Sequence, residues 1–215
     1  MMVKIKIRFL VALFIAITCP INFAFAYQEG EVERLATDLK NVKQYLESGN
    51  ENRIKEVFCN ASLFGNRELV EYIMDETSQD FLESKLLNNR VIDIAIANAA
   101  SSGNLELVNI LYKKGGNVNV IIYEYQNAFM NAISFRNADI VEFMLSNGAD
   151  ITSENVYGIS AYRLAYSSIT GVSVNDEAVE IFKMLVEKGA NPKKHEVQYI
   201  DRQLVEKYLR GSAEK

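Results

Sequence analysis

Histidine occurs once in this 215-residue chain, at His195, and tryptophan not at all. A Ser-His-Asp or Cys-His relay would have to be built on that single imidazole. It follows Lys193 and Lys194 in a turn-like stretch and reads as solvated loop. Cys19 and Cys59 are the only cysteines, and with one histidine they cannot supply the clustered ligands of a zinc site. Proline is confined to Pro20 and Pro192, so long stretches are free to be helical. Beyond the first eight residues lysine and arginine do not cluster, and the formal net charge is −5. The basic patch that nucleic-acid binding requires is missing. The one double glycine, in "KKGGN", lacks the spacing of a phosphate cradle. These gaps leave no catalytic constellation and no cofactor or metal set, and the chain is expected to be a non-enzyme.

What is present begins at the N-terminus. "MMVKIKIR" carries Lys4, Lys6 and Arg8, "FLVALFIAIT" is apolar, and "AFA" ends at Ala26. A positive region, a short apolar core and a small-x-small site describe a secretory signal peptide over residues 1–26, cut before Tyr27. The alternative is an uncleaved anchor, but Pro20 and Asn22 interrupt a stretch that would need about 20 apolar residues to span. Cleavage removes three basic residues and no acid, which leaves 20 basic and 28 acidic residues, a net charge of −8. It also removes Cys19, so no internal disulfide can form. Cys59, in "EVFCNASLF", reads as a small buried hydrophobe. The chain is expected to be exported, periplasmic or secreted, with no stable membrane insertion after cleavage.

The strongest signal is self-similarity. Residues 107–118 read "LVNILYKKGGNV" and residues 140–151 read "IVEFMLSNGADI", 33 residues later. "IFKMLVEKGANP" from Ile181 and "LVEYIMDET" from Leu69 align with them, and "NVKQYLESGN" from Asn41 aligns more weakly. Gly148 to Gly189 is 41 residues, so about eight extra fall in residues 167–176, "SSITGVSVND", which reads as a loop insertion. About five more fall near "ETSQDFLESK". Each unit has a small-residue segment upstream, as in "AIANAASSGNLELV" and "FMNAISFRNADIV". Gly115, Gly148 and Gly189 stand where a helix C-terminus wants a left-handed residue.

With these residues the chain resembles the ankyrin-repeat family, exported and bacterial in type, whose 33-residue units are a turn plus two helices. "IVEFMLSNGAD" meets the family's second-helix pattern. The first-helix pattern Gly-x-Thr-Pro-Leu-His-x-Ala is met best by "GISAYRLA" at residues 158–165, with Ser160, Ala161 and Arg163 replacing Thr, Pro and His. A tetratricopeptide array would lack the Gly-Ala-Asp turn. The resemblance implies an all-α solenoid of stacked helix pairs with short hairpin fingers, about four to five repeats. Residues 27–49 would form an N-terminal cap or degenerate repeat, 50–195 the repeat domain, and 196–215 a C-terminal capping helix and tail.

The resemblance also implies a protein partner docked on the finger tips and the inner face of the first helices. Two fingers carry unusual residues there, "VNVIIYEYQN" and "ITSENVYGIS". Aromatic residues are enriched at binding hot spots. Tyr123, Tyr125 and Tyr157 are therefore the leading contact candidates, with Ile122, Glu124, Asn155 and Arg163 beside them. In-out alternation along "VNVIIYEY" is the competing account of Val118, Val120 and Ile122. The chain is expected to act as a monomeric protein-binding module, and its acidity suits a basic partner. Its role would be that of an immunity protein, a protective envelope partner or a released effector. Two other classes stay open: an enzyme or enzyme subunit with its site in the insertion or tail, and a membrane-tethered structural component of the envelope.

Overall fold

Four buried triads recur along the chain: Leu69, Val70 and Ile73; Leu107, Val108 and Leu111; Ile140, Val141 and Met144; Ile181, Phe182 and Leu185. The i, i+1, i+4 spacing puts each triad on one helical face. The computed structural model describes residues 39–86, 88–122, 127–170 and 174–210. In it the triads lie on helices α3 (Arg67–Glu76), α6 (Leu105–Lys113), α8 (Ala138–Ser146) and α10 (Asp176–Glu187). Each is the second member of a pair whose first members are α2 (Glu51–Leu63), α5 (Val91–Ser102), α7 (Ala128–Ser134) and α9 (Ala161–Thr170). Helix α1 (Leu39–Glu47) precedes the first pair, and α11 (Arg202–Arg210) follows the last. One hydrophobic cluster runs through all four pairs. This is the expected all-α stack: no pair buries its own apolar face, so each leans on its neighbour. The signal segment and most of the N-terminal cap, residues 1–38, lie outside the described residues.

The first helices approach closely because small side chains meet there. Ala95, Ala97, Ala99 and Ala100 of α5, Ala132 of α7 and Ala165 of α9 are all fully buried. Paired asparagines then stitch repeat to repeat. Asn98 donates to the carbonyl of Cys59 at 2.9 Å and Asn104 to that of Gly65 at 3.1 Å. Thirty-three residues later, Asn131 donates to Ala97 at 3.2 Å and Asn137 to Ala100 at 2.6 Å. Asn66, Asn104 and Asn175 also cap the second helices, accepting from Leu69, Leu107 and Ala178. Each such side chain satisfies an amide that the helix start would leave unpaired.

The turn between α5 and α6 depends on Gly103, whose φ is +77° and whose missing Cβ would sit 3.0 Å from Asn137 Oδ1. Gly103→Ala is expected to cost about 1–2 kcal/mol from the left-handed backbone alone, and to disturb the Asn137 bridge as well. Urea unfolding checks this; an unchanged midpoint would show that the bridge does not hold the two repeats in register.

One expectation is corrected and two others gain detail. The extra residues after α9 are not simply a loop: Ser167 to Thr170 continue the helix, so the insertion first lengthens α9. The extra residues before α5 form a short helix, α4 (Gln79–Glu83), and a two-residue hairpin, β1 (Lys85–Leu86) with β2 (Asn89–Arg90). Arg90 stands where the family pattern has its helix-opening residue. It grips buried Asp93 at 2.7 and 2.8 Å and Glu83 at 2.8 Å, and Asp93 in turn accepts from the Asn117 amide at 2.9 Å. His195 is exposed in a turn, as the sequence reading expects, and it also has a partner. Its Nε2–H donates to the Gly158 carbonyl at 2.9 Å, which ties the chain after the last repeat to a finger. Cys59 is buried, and burial pushes its thiol pKa far above the ordinary value.

Candidate functional site

The finger after α8 is built from side chains that consume their own polar groups. Gly148 turns the chain at φ +85°. Asn119, from the preceding finger, donates to the Gly148 carbonyl at 2.9 Å and accepts from the Asp150 amide at 2.8 Å. Asp150 accepts from the Thr152 hydroxyl at 2.7 Å and its amide at 2.8 Å, and these two bonds hold its pKa below the ordinary aspartate value. Asn155 Oδ1 accepts from the amides of Tyr157 and Ile159, both at 3.0 Å. Glu154 and Ser160 close the base as an antiparallel bridge. The side-chain cap forces a tight tip, and Val156 and Tyr157 are driven outward, 55% and 67% exposed.

A second strand of chain lies against this finger. Lys193 pairs with Glu154 at 3.1 Å. Glu196 is 3% exposed; it accepts from the Ser160 amide at 2.9 Å, the Ser160 hydroxyl at 2.7 Å and the Lys193 amide at 2.9 Å. A single 3₁₀ turn, Val197–Tyr199, follows and leaves Val197 and Tyr199 42% and 59% exposed. Arg163 of α9 joins the two parts. Its guanidinium lies 4.9 Å from the Tyr199 ring centroid and 5.8 Å from that of Tyr166, and it donates to the Tyr199 carbonyl at 3.1 Å. Tyr166 is fixed from below, its hydroxyl accepting from the Asp201 amide at 2.8 Å.

Among the described residues, six large apolar side chains are exposed, and four of them, Val156, Tyr157, Val197 and Tyr199, lie on this finger and the segment latched to it. Such a concentration marks a contact surface more than scattered exposure would. What it offers is aromatic area on a rigid base.

The sequence candidates divide accordingly. Tyr157 is exposed at the finger tip, and Arg163 lies on α9 behind the base of the same finger, against Tyr199. Asn155 is buried and shapes the tip through its two hydrogen bonds instead of meeting a partner. Ile122 is 4% exposed and packs in the core, while its neighbour Ile121 points out. The in-out alternation therefore accounts for Val118 and Ile122, and Ile122 is withdrawn as a contact residue. Tyr123, Glu124 and Tyr125 lie outside the described residues. The sequence reading missed Val197, Tyr199 and Glu196. The available signal was that Val197 and Tyr199 fall off the apolar stripe of Ile200, Leu204, Val205, Tyr208 and Leu209, of which Ile200, Val205, Tyr208 and Leu209 pack on the core.

Among the described residues no group of His, Cys, Asp and Glu is arranged to hold a metal ion. No helix there is long and apolar enough to cross a membrane. The family model described as ankyrin repeats (three copies) matches residues 58–155 and again residues 96–196. A search among curated proteins gave no match.

Proposed function

The chain belongs to the ankyrin-repeat family, whose repeats are protein–protein interaction modules, and on that premise we propose that it is an exported binding protein with one dedicated protein partner. It has no catalysis of its own and works by holding that partner. The observation that carries the docking surface is the gathering of Val156, Tyr157, Val197 and Tyr199 on the last finger and the segment latched to it. Tyrosines give large contacts at low entropic cost, and hot spots of this type carry most of the energy of an interface. Export rests on the N-terminal sequence, Lys4, Lys6 and Arg8 followed by the apolar run to Ala26. Envelope immunity, protection of an enzyme and release as an effector are the three roles consistent with an exported module. The identity of the partner separates them.

The test is a pull-down from the native organism with the wild-type chain and with Tyr157→Ala plus Tyr199→Ala, bound proteins being identified by mass. One dominant partner, lost in the double variant while melting stays within about 0.5 kcal/mol of wild type, is the expected result. A partner retained by the variant moves the surface elsewhere. The intact mass of the native chain tests export in the same preparation: cleavage before Tyr27 is expected, and an uncut chain would replace the exported module with a tethered one.

A further inference from the structure

The net charge of the chain favours a basic partner, but charge is unevenly placed. Residues 39–190 carry 13 basic and 20 acidic residues, whereas residues 191–210 carry five and three. One of those three acids, Glu196, is buried against Ser160 and the Lys193 amide. Of the other carboxylates nearby, Glu154 pairs with Lys193, Asp150 accepts from Thr152 and Asp201 accepts from the amides of Gln203 and Leu204, while Glu206 lies one turn after Arg202 on α11. Among the described residues, Arg163, Lys194 and Arg202 have no carboxylate within ion-pair distance. Arg163 is the informative one. Two tyrosine rings and the Tyr199 carbonyl fix its guanidinium, and the bond to Tyr199 uses only one terminal nitrogen. A half-exposed, stacked guanidinium with donors to spare is a preorganised fork for a carboxylate.

We propose that this face takes an acidic segment of the partner, one carboxylate on Arg163 and an adjacent apolar side chain against Tyr157 and Tyr199, with Lys194 and Arg202 at the rim. The proposal rests on the docking surface assigned above and adds the chemistry of what docks. Local complementarity sets it against the charge of the chain as a whole. Exposed charges act over roughly 8 Å at physiological salt, so the groups nearest the face weigh more than the net charge.

Random-peptide display on the chain expressed from its full-length sequence tests it, run beside Arg163→Glu and, because Arg163 also packs on its tyrosines, beside Lys194→Glu plus Arg202→Glu. Enriched peptides should pair Asp or Glu with Leu, Phe or Tyr. In fluorescence anisotropy the best of them should bind either variant at least about tenfold more weakly, the scale of one charge-assisted contact. Its lysine-substituted copy should bind Arg163→Glu better than it binds wild type. Enrichment of basic peptides, peptides indifferent to all three substitutions, or no enrichment would each overturn the proposal. If that happens while the native partner is still lost on Tyr157→Ala plus Tyr199→Ala, the surface stands and only the acidic segment falls. If the native partner is retained, the surface itself is wrong.

Discussion

Leu111→Ala and Met144→Ala are each expected to destabilise the chain by about 2–5 kcal/mol, the range for large-to-small changes at sites that cannot collapse. Both side chains are fully buried at the same register of successive second helices, and both belong to the one core cluster. Each faces its own first helix and the neighbouring repeat, so truncation opens a cavity at an inter-repeat interface. In a stack stabilised by nearest-neighbour interfaces, a cavity in a central unit weakens the coupling on both sides. At about 2–4 °C per kcal/mol for a chain of this size, melting followed by far-ultraviolet circular dichroism resolves the effect easily. Tyr157→Ala is the paired control and should leave melting nearly unchanged, since surface substitutions lie within about 0.5 kcal/mol. Core variants that melt like wild type would mean that α6 and α8 are placed in the wrong register.

The reason Leu111 and Met144 could be chosen at all is that the second helices repeat their chemistry. Leu107 to Gly115, Ile140 to Gly148 and Ile181 to Gly189 each write a buried triad and then a left-handed glycine, at φ +98°, +85° and +93°. Both features are local, so the fold class was legible in the sequence. The first helices were harder, because their pattern residues are replaced. Arg90 braces the start of α5 through a side-chain pair with Asp93, while Ser160 caps α9 through the Arg163 amide and gives its own amide to Glu196. The docking face was half legible. Tyr157 on the last finger and Arg163 on α9 stand out, but Tyr199 meets Arg163 across 36 residues, and no periodicity encodes such a contact. Asn155 and Ile122 were misjudged for a related reason. A polar residue at a tip can be spent on its own backbone, and a finger has an inside.

Glu196→Ala is expected to cost about 2–4 kcal/mol at neutral pH and to abolish partner binding with it. Three donors converge on this buried carboxylate, the Ser160 amide, the Ser160 hydroxyl and the Lys193 amide. Truncation strands them where Ser160 is 1% exposed, and each lost bond to a charged acceptor is worth about 1.5–3 kcal/mol before relaxation and non-additivity. The same side chain latches residues 193–199 to the finger, so its loss releases Tyr199 from Arg163 and takes the docking face apart. Glu196→Gln separates the charge from the shape. Burial raises the carboxyl pKa, but the bonds from Ser160 and Lys193 outweigh it and hold the group below the ordinary glutamate value. A carboxyl depressed in the folded chain contributes stability that is complete above that ordinary value and is lost as pH falls through the depressed one. Glu196→Gln should therefore be less stable than wild type by about 1–2 kcal/mol at pH 7, and the two stability curves should converge on acidification. Urea unfolding from pH 7 down to about pH 3, across the ordinary glutamate range, checks both. A gap that persists unchanged at the acid end would show that Glu196 acts through packing, not through its charge.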